Sequence, residues 1–203
     1  MKSGKRDVPT FTNKFLIIGD QGSTSRTAAD RVAAQMDAWA AENGADFILS
    51  LGDNFYQDGP PSVASELFNE RWRDAYNGDN LKDLFWFMSV GNHDYYPYEG
   101  YEWNEVARTT VPGEERWYLP WLWYNVTLDT PAGPLDLIIA DSQAARKNMN
   151  DRSTMYEWFQ ETLKWSEENN RLKIAVSHHP GRSAGNYYPG SGTIQNNFEP
   201  YLE

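Results

Sequence analysis

Five short apolar runs constrain the fold of this chain more than any other feature of its sequence. Each is four to six residues long and rich in Ile, Leu, Val and Phe: FLII (15–18), FILSL (47–51), FWFMSV (85–90), LDLIIA (135–140) and LKIAV (172–176). Continuous apolar character over so few residues is typical of strands that are buried on both faces of a sheet. None of the runs approaches the ~20 apolar residues that a membrane-spanning helix needs.

Helical patterns separate most of these runs. A helix is predicted over 23–43, because serines at its start can cap it, apolar residues recur on one face, and Asn43-Gly44 ends it. Further helices are predicted over 62–77, with a less regular pattern, and over 153–170. Strands that alternate with helices predict an α/β fold.

Residues 95–124 differ from the rest of the chain because they are dense in Trp and Tyr and contain three prolines. We expect this segment to pack over one end of the sheet, with most of its aromatic rings in the core. Residues 121–128 are predicted to return as a strand that turns through 129–134 into the next one. No repeat or linker interrupts the chain, so residues 1–203 are predicted to form a single domain.

Charge and cysteine content exclude several classes of function. The chain carries 29 acidic and 18 basic residues, for a net charge of −11, which argues against a nucleic-acid-binding surface. A bound cation would locally reverse this field for an anionic substrate. Cysteine is absent, which excludes disulfides and thiolate metal sites. No signal peptide is visible at the basic N-terminus, and localisation stays open.

Each apolar run ends at a residue that can bind a metal or move a proton. These endings are Gly19-Asp20, Gly52-Asp53 with Tyr56, Asn92-His93-Asp94, Asp141-Ser142 and His178-His179. A single Gly-Asp pair is ordinary turn chemistry. Five such endings indicate a site, because the carboxyl ends of strands line the functional crevice of α/β sheets. Carboxylate, amide, imidazole and phenol ligands suit iron, manganese or zinc.

The motifs at these endings resemble those of the purple acid phosphatases, particularly the small tartrate-resistant type, within the calcineurin-like metallophosphoesterases. The matching stretches occur in the family's order: GDQG (19–22), GDNFY (52–56), GNHD (91–94), RWYLP (116–120) and HHP (178–180). The resemblance implies a metallophosphatase-type sandwich of mixed β-sheets flanked by helices. It also implies hydrolysis of phosphate monoesters at a binuclear metal centre, with a metal-bound hydroxide as the nucleophile.

The resemblance also implies a role for each site residue. Asp20, Asp53 and Tyr56 would hold an iron(III), and Asp53 would be shared with a second, divalent ion of iron, zinc or manganese. Asn92 and His178 would complete much of the divalent site. His178 is preferred to His179 as a ligand because it stands two residues before Pro180. The catalytic candidates are His93, which would contact the phosphate or protonate the leaving oxygen, and His179, near the ligands or the substrate. Asp141 is expected to be structural.

The chain departs from the family pattern near its end. A substrate-facing His expected after His178 is missing, and residues 181–192 offer Arg182, Tyr187 and Tyr188 instead. The family's Gly-His-x-His motif is also absent. We therefore expect the domain to be C-terminally incomplete, to lack its last strands, and to be a weak or inactive catalyst alone. Residues 196–203 are predicted to begin a helix.

Two alternative functions stay open at this point. One is a metal-dependent phosphodiesterase or protein phosphatase of the same superfamily, and the other is a non-catalytic member that binds a partner or a glycan. The expected partner is a phosphate ester, with no nucleic acid and no membrane span, and the sequence leaves the oligomeric state undetermined. The resemblance implies a secreted protein or one of the secretory pathway.

Overall fold

The computed structural model describes residues 14–62, 64–96, 115–149, 152–185 and 189–202, which form two β-sheets with helices around them. The first sheet is parallel in the order β1 (Phe15–Ile18), β2 (Phe47–Ser50), β3 (Phe85–Phe87) and β4 (Trp117–Tyr118). The second contains β5 (Tyr124–Thr130), β6 (Gly133–Ile139) and β7 (Leu172–Val176). β5 and β6 form an antiparallel hairpin, and β7 runs parallel to β6. The predicted α/β sandwich is confirmed.

In the part of the chain that the structure describes, four α-helices accompany the sheets: α1 (Arg26–Asn43), α2 (Ser142–Lys147), α3 (Arg152–Glu168) and α4 (Gly192–Asn197). α1 agrees with its prediction: the Ser25 side chain caps its start, and Gly44 ends it with a φ of 74°. Within the described ranges, no helix is both long and apolar enough to cross a bilayer.

Two predicted helices have different bounds in the structure. Residues 62–77 were expected to be helical, but the described residues of this range form a π-helical turn at Phe68–Arg73. Its Phe68 and Trp72 rings both pack edge-on against Trp117, so tertiary packing decides the local conformation. At the other end of the chain, α4 begins after Ser191 rather than at residue 196, and a short 3₁₀ turn at Glu199–Tyr201 follows it.

The strands follow the apolar runs closely, with one omission. The return strand predicted at 121–128 is β5, which starts three residues later at Tyr124. β4 has only two residues and was not predicted; Trp117 pairs in register with Trp86 of β3. Of the aromatic segment 95–124, residues 97–114 lie outside the described residues.

The hydrophobic core fills both faces of the second sheet. On one face the two sheets pack together, and Tyr118 of β4 lies edge-on against Tyr124 of β5 with ring centroids 5.6 Å apart. On the other face, Ile138 of β6 joins Phe159 of α3 and Phe198 in a smaller cluster. In the first sheet β1, β2 and β3 run parallel, so the loops that follow them emerge at one edge of that sheet.

Candidate metal centre

The loops after β1 and β2 are locked to each other by backbone hydrogen bonds. The Asp20 amide donates to the Gly52 carbonyl at 3.0 Å, and the Gly22 amide donates to the Asp53 carbonyl at 3.2 Å. A Cβ atom on Gly22 would stand 2.3 Å from the Asn54 carbonyl, so only glycine permits this approach. The packing of the two loops brings the two predicted aspartates side by side.

Both aspartates adopt a left-handed backbone conformation, with φ values of 57° for Asp20 and 54° for Asp53. Non-glycine residues seldom occupy this region, although Asp and Asn tolerate it better than most. Such strain persists only where the surrounding contacts hold it in place, and it concentrates at functional sites. Asp53 is buried, whereas Asp20 is exposed at the opening of the cluster.

The Tyr56 phenol lies between the two carboxylates. Its hydroxyl oxygen is 2.6 Å from Asp20 Oδ1 and 2.6 Å from Asp53 Oδ2. Burial, together with the two carboxylates, raises the pKa of Tyr56 above its ordinary value. One hydroxyl proton serves two anionic acceptors here. The arrangement thus brings three oxygen ligands together with too little positive charge, and a metal ion would supply that charge.

His178 is oriented toward the same carboxylates. Its Nδ1 is 2.9 Å from the Leu51 carbonyl, which assigns the proton to Nδ1 and leaves the Nε2 lone pair free to bind. Nε2 lies 3.5 Å from Asp53 Oδ1. Ligand atoms of Asp20, Asp53 and His178 all lie within 4.8 Å of one another. A metal-binding histidine usually donates a hydrogen bond from its other ring N–H to a group such as a backbone carbonyl.

The loop after β3 closes over Asp53. The His93 amide donates to Asp53 Oδ1 at 2.8 Å, and a Cβ on Gly91 would stand 2.2 Å from the same oxygen. Asn92 lies half-buried between these two residues. The His93 ring has Nδ1 2.7 Å from the Gln57 carbonyl and its centroid 4.3 Å from that of Tyr56. The predicted catalytic histidine is therefore adjacent to the candidate metal ligands.

Asp94 holds these loops together through hydrogen bonds, a role that the sequence did not predict. Its carboxylate is fully buried and accepts hydrogen bonds from the amides of Asn54 at 2.7 Å, Phe55 at 3.2 Å and Gly91 at 2.8 Å. It also accepts one from Asn54 Nδ2 at 2.9 Å. Burial raises the pKa of Asp94, and these bonds partly oppose that shift. The signal in the sequence was its place in the GNHD motif.

His179 lies behind His178 and is buried. Its Nδ1 is 2.8 Å from Ser142 Oγ, which also accepts the His179 amide at 3.0 Å. Burial is the main cause that lowers the pKa of His179 to about 3, so the ring is neutral near pH 7. Asp141, expected to be structural, caps α2 by accepting from the amides of Gln143 and Ala144.

Of the three residues that the sequence offers in place of the missing histidine, the structure describes Arg182, which pairs with Glu199. Arg182 Nε donates to Glu199 Oε2 at 3.0 Å, and most of the Arg182 side chain is exposed. The two other candidates, Tyr187 and Tyr188, lie outside the described residues.

A layered α/β sandwich with carboxylates, a phenol and an imidazole at its strand ends defines a metallophosphatase-type protein. The chain belongs to the calcineurin-like phosphoesterase family, whose model matches residues 13–201. It is 25% identical over 209 residues to tartrate-resistant acid phosphatase type 5 of Sus scrofa, covering 93% of this chain and 59% of that relative. It is 37% identical over 84 residues to purple acid phosphatase 3 of Arabidopsis thaliana, covering 41% of this chain and 23% of that relative.

A solved structure shares the fold. It is described as "GAP50 the anchor in the inner membrane complex of Plasmodium", and it superposes with a TM-score of 0.74 at 18% identity. The superposition covers 93% of this chain and 61% of that one. This chain thus spans about three fifths of the tartrate-resistant relative (59%) and of this structural neighbour (61%).

Proposed function

We propose that the protein hydrolyses phosphate monoesters at a centre of two metal ions. The observation that carries this proposal is the convergence of Asp20, Tyr56 and Asp53 on one point, with His178 Nε2 directed at the same carboxylate. The acid phosphatase names of the relatives support the choice of a monoester substrate.

The residues divide between two positions around Asp53. Asp20 and Tyr56 stand on one side of its carboxylate and would hold an iron(III). His178 stands on the other side, with Asn92 nearby in the chain loop over Asp53, and would hold a divalent iron, zinc or manganese. Ions bound there supply Lewis acidity, an activated water and positive charge for the phosphate in a protein of net charge −11.

His93 is the residue best placed to act on the phosphate ester. Its Nδ1–H donates to the Gln57 carbonyl, which leaves Nε2 as the nitrogen that meets the substrate. From there the ring hydrogen-bonds a phosphate oxygen or passes a proton to the leaving oxygen. His179, buried and bonded to Ser142, acts by holding the His178 segment in position rather than by touching the substrate.

The test measures metal affinity and turnover together in Asp53→Asn, which keeps the shape of the side chain and removes its charge. We expect this variant to bind iron and zinc at least 100-fold more weakly than the wild type, since loss of even indirect support costs ~10–100-fold. The turnover of an aryl phosphate monoester, expected to be weak in this chain, should be lost with the metal. Asp79→Asn is the matched control, because among the described residues Asp79 pairs with Lys82 at the surface.

Three outcomes would contradict the proposal. Wild-type metal affinity and turnover in Asp53→Asn would show that no metal centre forms at Asp53. A metal-loaded protein that hydrolyses an aryl diester faster than the monoester would favour the phosphodiesterase alternative. A wild-type chain that binds none of these metals would favour the non-catalytic alternative.

A further inference from the structure

The two candidate ligands of the proposed divalent ion come from different sheets. Asn92 follows β3 in the first sheet, and His178 follows β7 in the second. A site that binds an ion through both needs their loops held within about 0.5 Å of the right separation. The bonds of Asp94 described above join the loop after β3 to the loop after β2, within the first sheet. A contact from the loop after β3 to the second sheet would set the separation of the two ligands.

Tyr95 makes such a contact. It is buried and lies three residues after Asn92, in the 3₁₀ turn His93–Tyr95. Its hydroxyl donates to Oδ2 of Asp141, the residue that begins the loop after β6 of the second sheet. Burial raises the pKa of Tyr95, and the Asp141 carboxylate raises it further, so the hydroxyl keeps the proton that it donates. This hydrogen bond therefore joins the two sheets beside the candidate metal centre.

Asp141 is itself fixed by the start of α2. Its Oδ1 accepts from the amides of Gln143 and Ala144, both at 3.0 Å, so different groups bind its two oxygens. Burial raises the pKa of Asp141 to about 6, while the Tyr95 hydroxyl, these amides and the charge of His178 lower it. The carboxylate is fully buried and cannot turn away without leaving buried donors unsatisfied.

The next residue, Ser142, holds the loop that carries the other ligand. Its Oγ accepts the His179 amide at 3.0 Å and lies 2.8 Å from His179 Nδ1. Ser142 and His179 are both buried. His179 directly follows His178 in the chain. Two consecutive residues at the start of α2 therefore hold the loop after β3 and the loop after β7.

We propose that the contact between Tyr95 and Asp141, together with Ser142, sets the separation of the two candidate ligand loops. These three are positioning residues, which act through Asn92 and His178 rather than by binding the ion. The inference rests on the metal centre proposed above. Groups that orient metal ligands in this way typically contribute about 10–100-fold to metal affinity.

The position proposed for iron(III) does not depend on this link. Its candidate ligands belong to the loops after β1 and β2, which have backbone hydrogen bonds of their own: Asp20, Asp53 and Tyr56. Loss of the link should therefore weaken binding of the divalent ion selectively. A residue that only stabilises the fold would weaken both positions or neither.

The test is a titration of the whole chain with iron(III) and then with zinc, in the wild type and in Tyr95→Phe, which removes only the hydroxyl. We expect zinc affinity to fall about 10–100-fold in this variant. Iron(III) binding, followed by the visible charge-transfer absorption of a phenolate–iron(III) pair, should stay at the wild-type level. Tyr124→Phe is the matched control, because its buried hydroxyl also joins the two sheets, through the carbonyls of Met88 and Tyr118. Zinc affinity should be unchanged in that control.

A second variant keeps the test decisive if Tyr95→Phe unfolds the chain. Ser142→Ala removes the hydroxyl that holds His179 and introduces a residue that favours a helix. It should lose zinc affinity to a similar extent. Ser166→Ala is its control, because Ser166 is a buried serine whose Oγ has no partner among the described residues. If both variants fold, the double variant should lose less zinc affinity than the product of the two single losses, since either loss already releases the separation.

The outcomes distinguish this inference from the proposed function. Wild-type zinc affinity in the folded single variants would overturn the inference and leave the metal centre in place. An equal loss of zinc affinity in Tyr124→Phe, or equal losses of zinc and iron(III) affinity in Tyr95→Phe, would also overturn it, because either result indicates general destabilisation. A wild-type chain that binds neither zinc nor iron(III) would contradict the proposed metal centre, and this inference with it.

Discussion

Substitution of Asp94 by Asn tests whether this buried carboxylate holds the metal-site loops together. Each carboxylate oxygen accepts two hydrogen bonds: Oδ1 from the amides of Asn54 and Phe55, and Oδ2 from the Gly91 amide and Asn54 Nδ2. An asparagine side chain has the same shape but keeps only one oxygen. Whichever way its amide turns, an NH₂ group faces two donors that have lost their acceptor.

The expected cost follows from this count. A buried donor without an acceptor costs about 1–3 kcal/mol, so two of them cost about 2–6 kcal/mol. Removal of the buried negative charge returns part of that amount, because burial disfavours the ionised form. We therefore expect Asp94→Asn to lower the free energy of unfolding by about 2–4 kcal/mol, a large share of the ~5–15 kcal/mol that a domain has.

The assay is urea unfolding at pH 7, with iron and zinc affinity measured on the same samples. Asp136→Asn is the matched control: Asp136 is equally buried, but only its Oδ1 accepts, from Thr127 and Arg171, and its Oδ2 has no partner among the described residues. Its amide can therefore keep an oxygen toward both donors, while the charge that pairs with Arg171 is lost, so the two variants are compared by metal affinity. Metal affinity should fall about 10–100-fold in Asp94→Asn and stay unchanged in Asp136→Asn. Equal losses of metal affinity in the two variants, or no loss of metal affinity in Asp94→Asn, would refute the reasoning.

Two further predictions concern close packing and pH. Gly91→Ala should abolish metal binding, because the added Cβ would lie 2.2 Å from Asp53 Oδ1. Gly192→Ala is the control and should bind metal normally, because an added Cβ there has no atom within 4 Å. Metal binding by Gly91→Ala would contradict this prediction. Burial, with a smaller contribution from Asp30, raises the pKa of Tyr76 to about 12. Above pH 10 the unfolded chain loses this proton while the folded chain keeps it, so about 2–3 kcal/mol of stability present below pH 10 is lost by pH 12. Urea midpoints across this range should fall less steeply in Tyr76→Phe, and identical slopes would argue against the assignment.

The sequence predicted most of the strands because each contains a continuous apolar run, although Ile17 of β1 and Leu172 of β7 are exposed. It failed where structure depends on distant partners. β4 forms because Trp117 pairs with Trp86, which lies 31 residues earlier in the chain. A strand of two residues is too short to show a hydrophobic periodicity in the sequence. The π-helical turn at Phe68–Arg73 likewise depends on the packing of its aromatic rings against Trp117, which the local sequence does not predict.

The candidate site was predictable at the level of its ligands and less so at the level of their support. Asp20, Asp53 and Tyr56 converge, as strand-end motifs in a parallel sheet should, and His178 joins them from the end of β7 in the second sheet. The role of Asp94 could not be predicted from the sequence, because two of its hydrogen-bond donors belong to Asn54, 40 residues earlier in the chain. Arg182, a substitute for the missing histidine by sequence position, pairs instead with Glu199 on the surface.

The strain and the charge at this site have a common explanation. Asp20 and Asp53 hold left-handed conformations that cost free energy, and two carboxylates share a single phenolic proton from Tyr56. Glycine or asparagine would suit this backbone conformation better than aspartate. The cluster therefore concentrates negative charge at a strained position, and Nε2 of His178 is directed at the same carboxylate of Asp53. The metal ions that we propose for this site would compensate that charge.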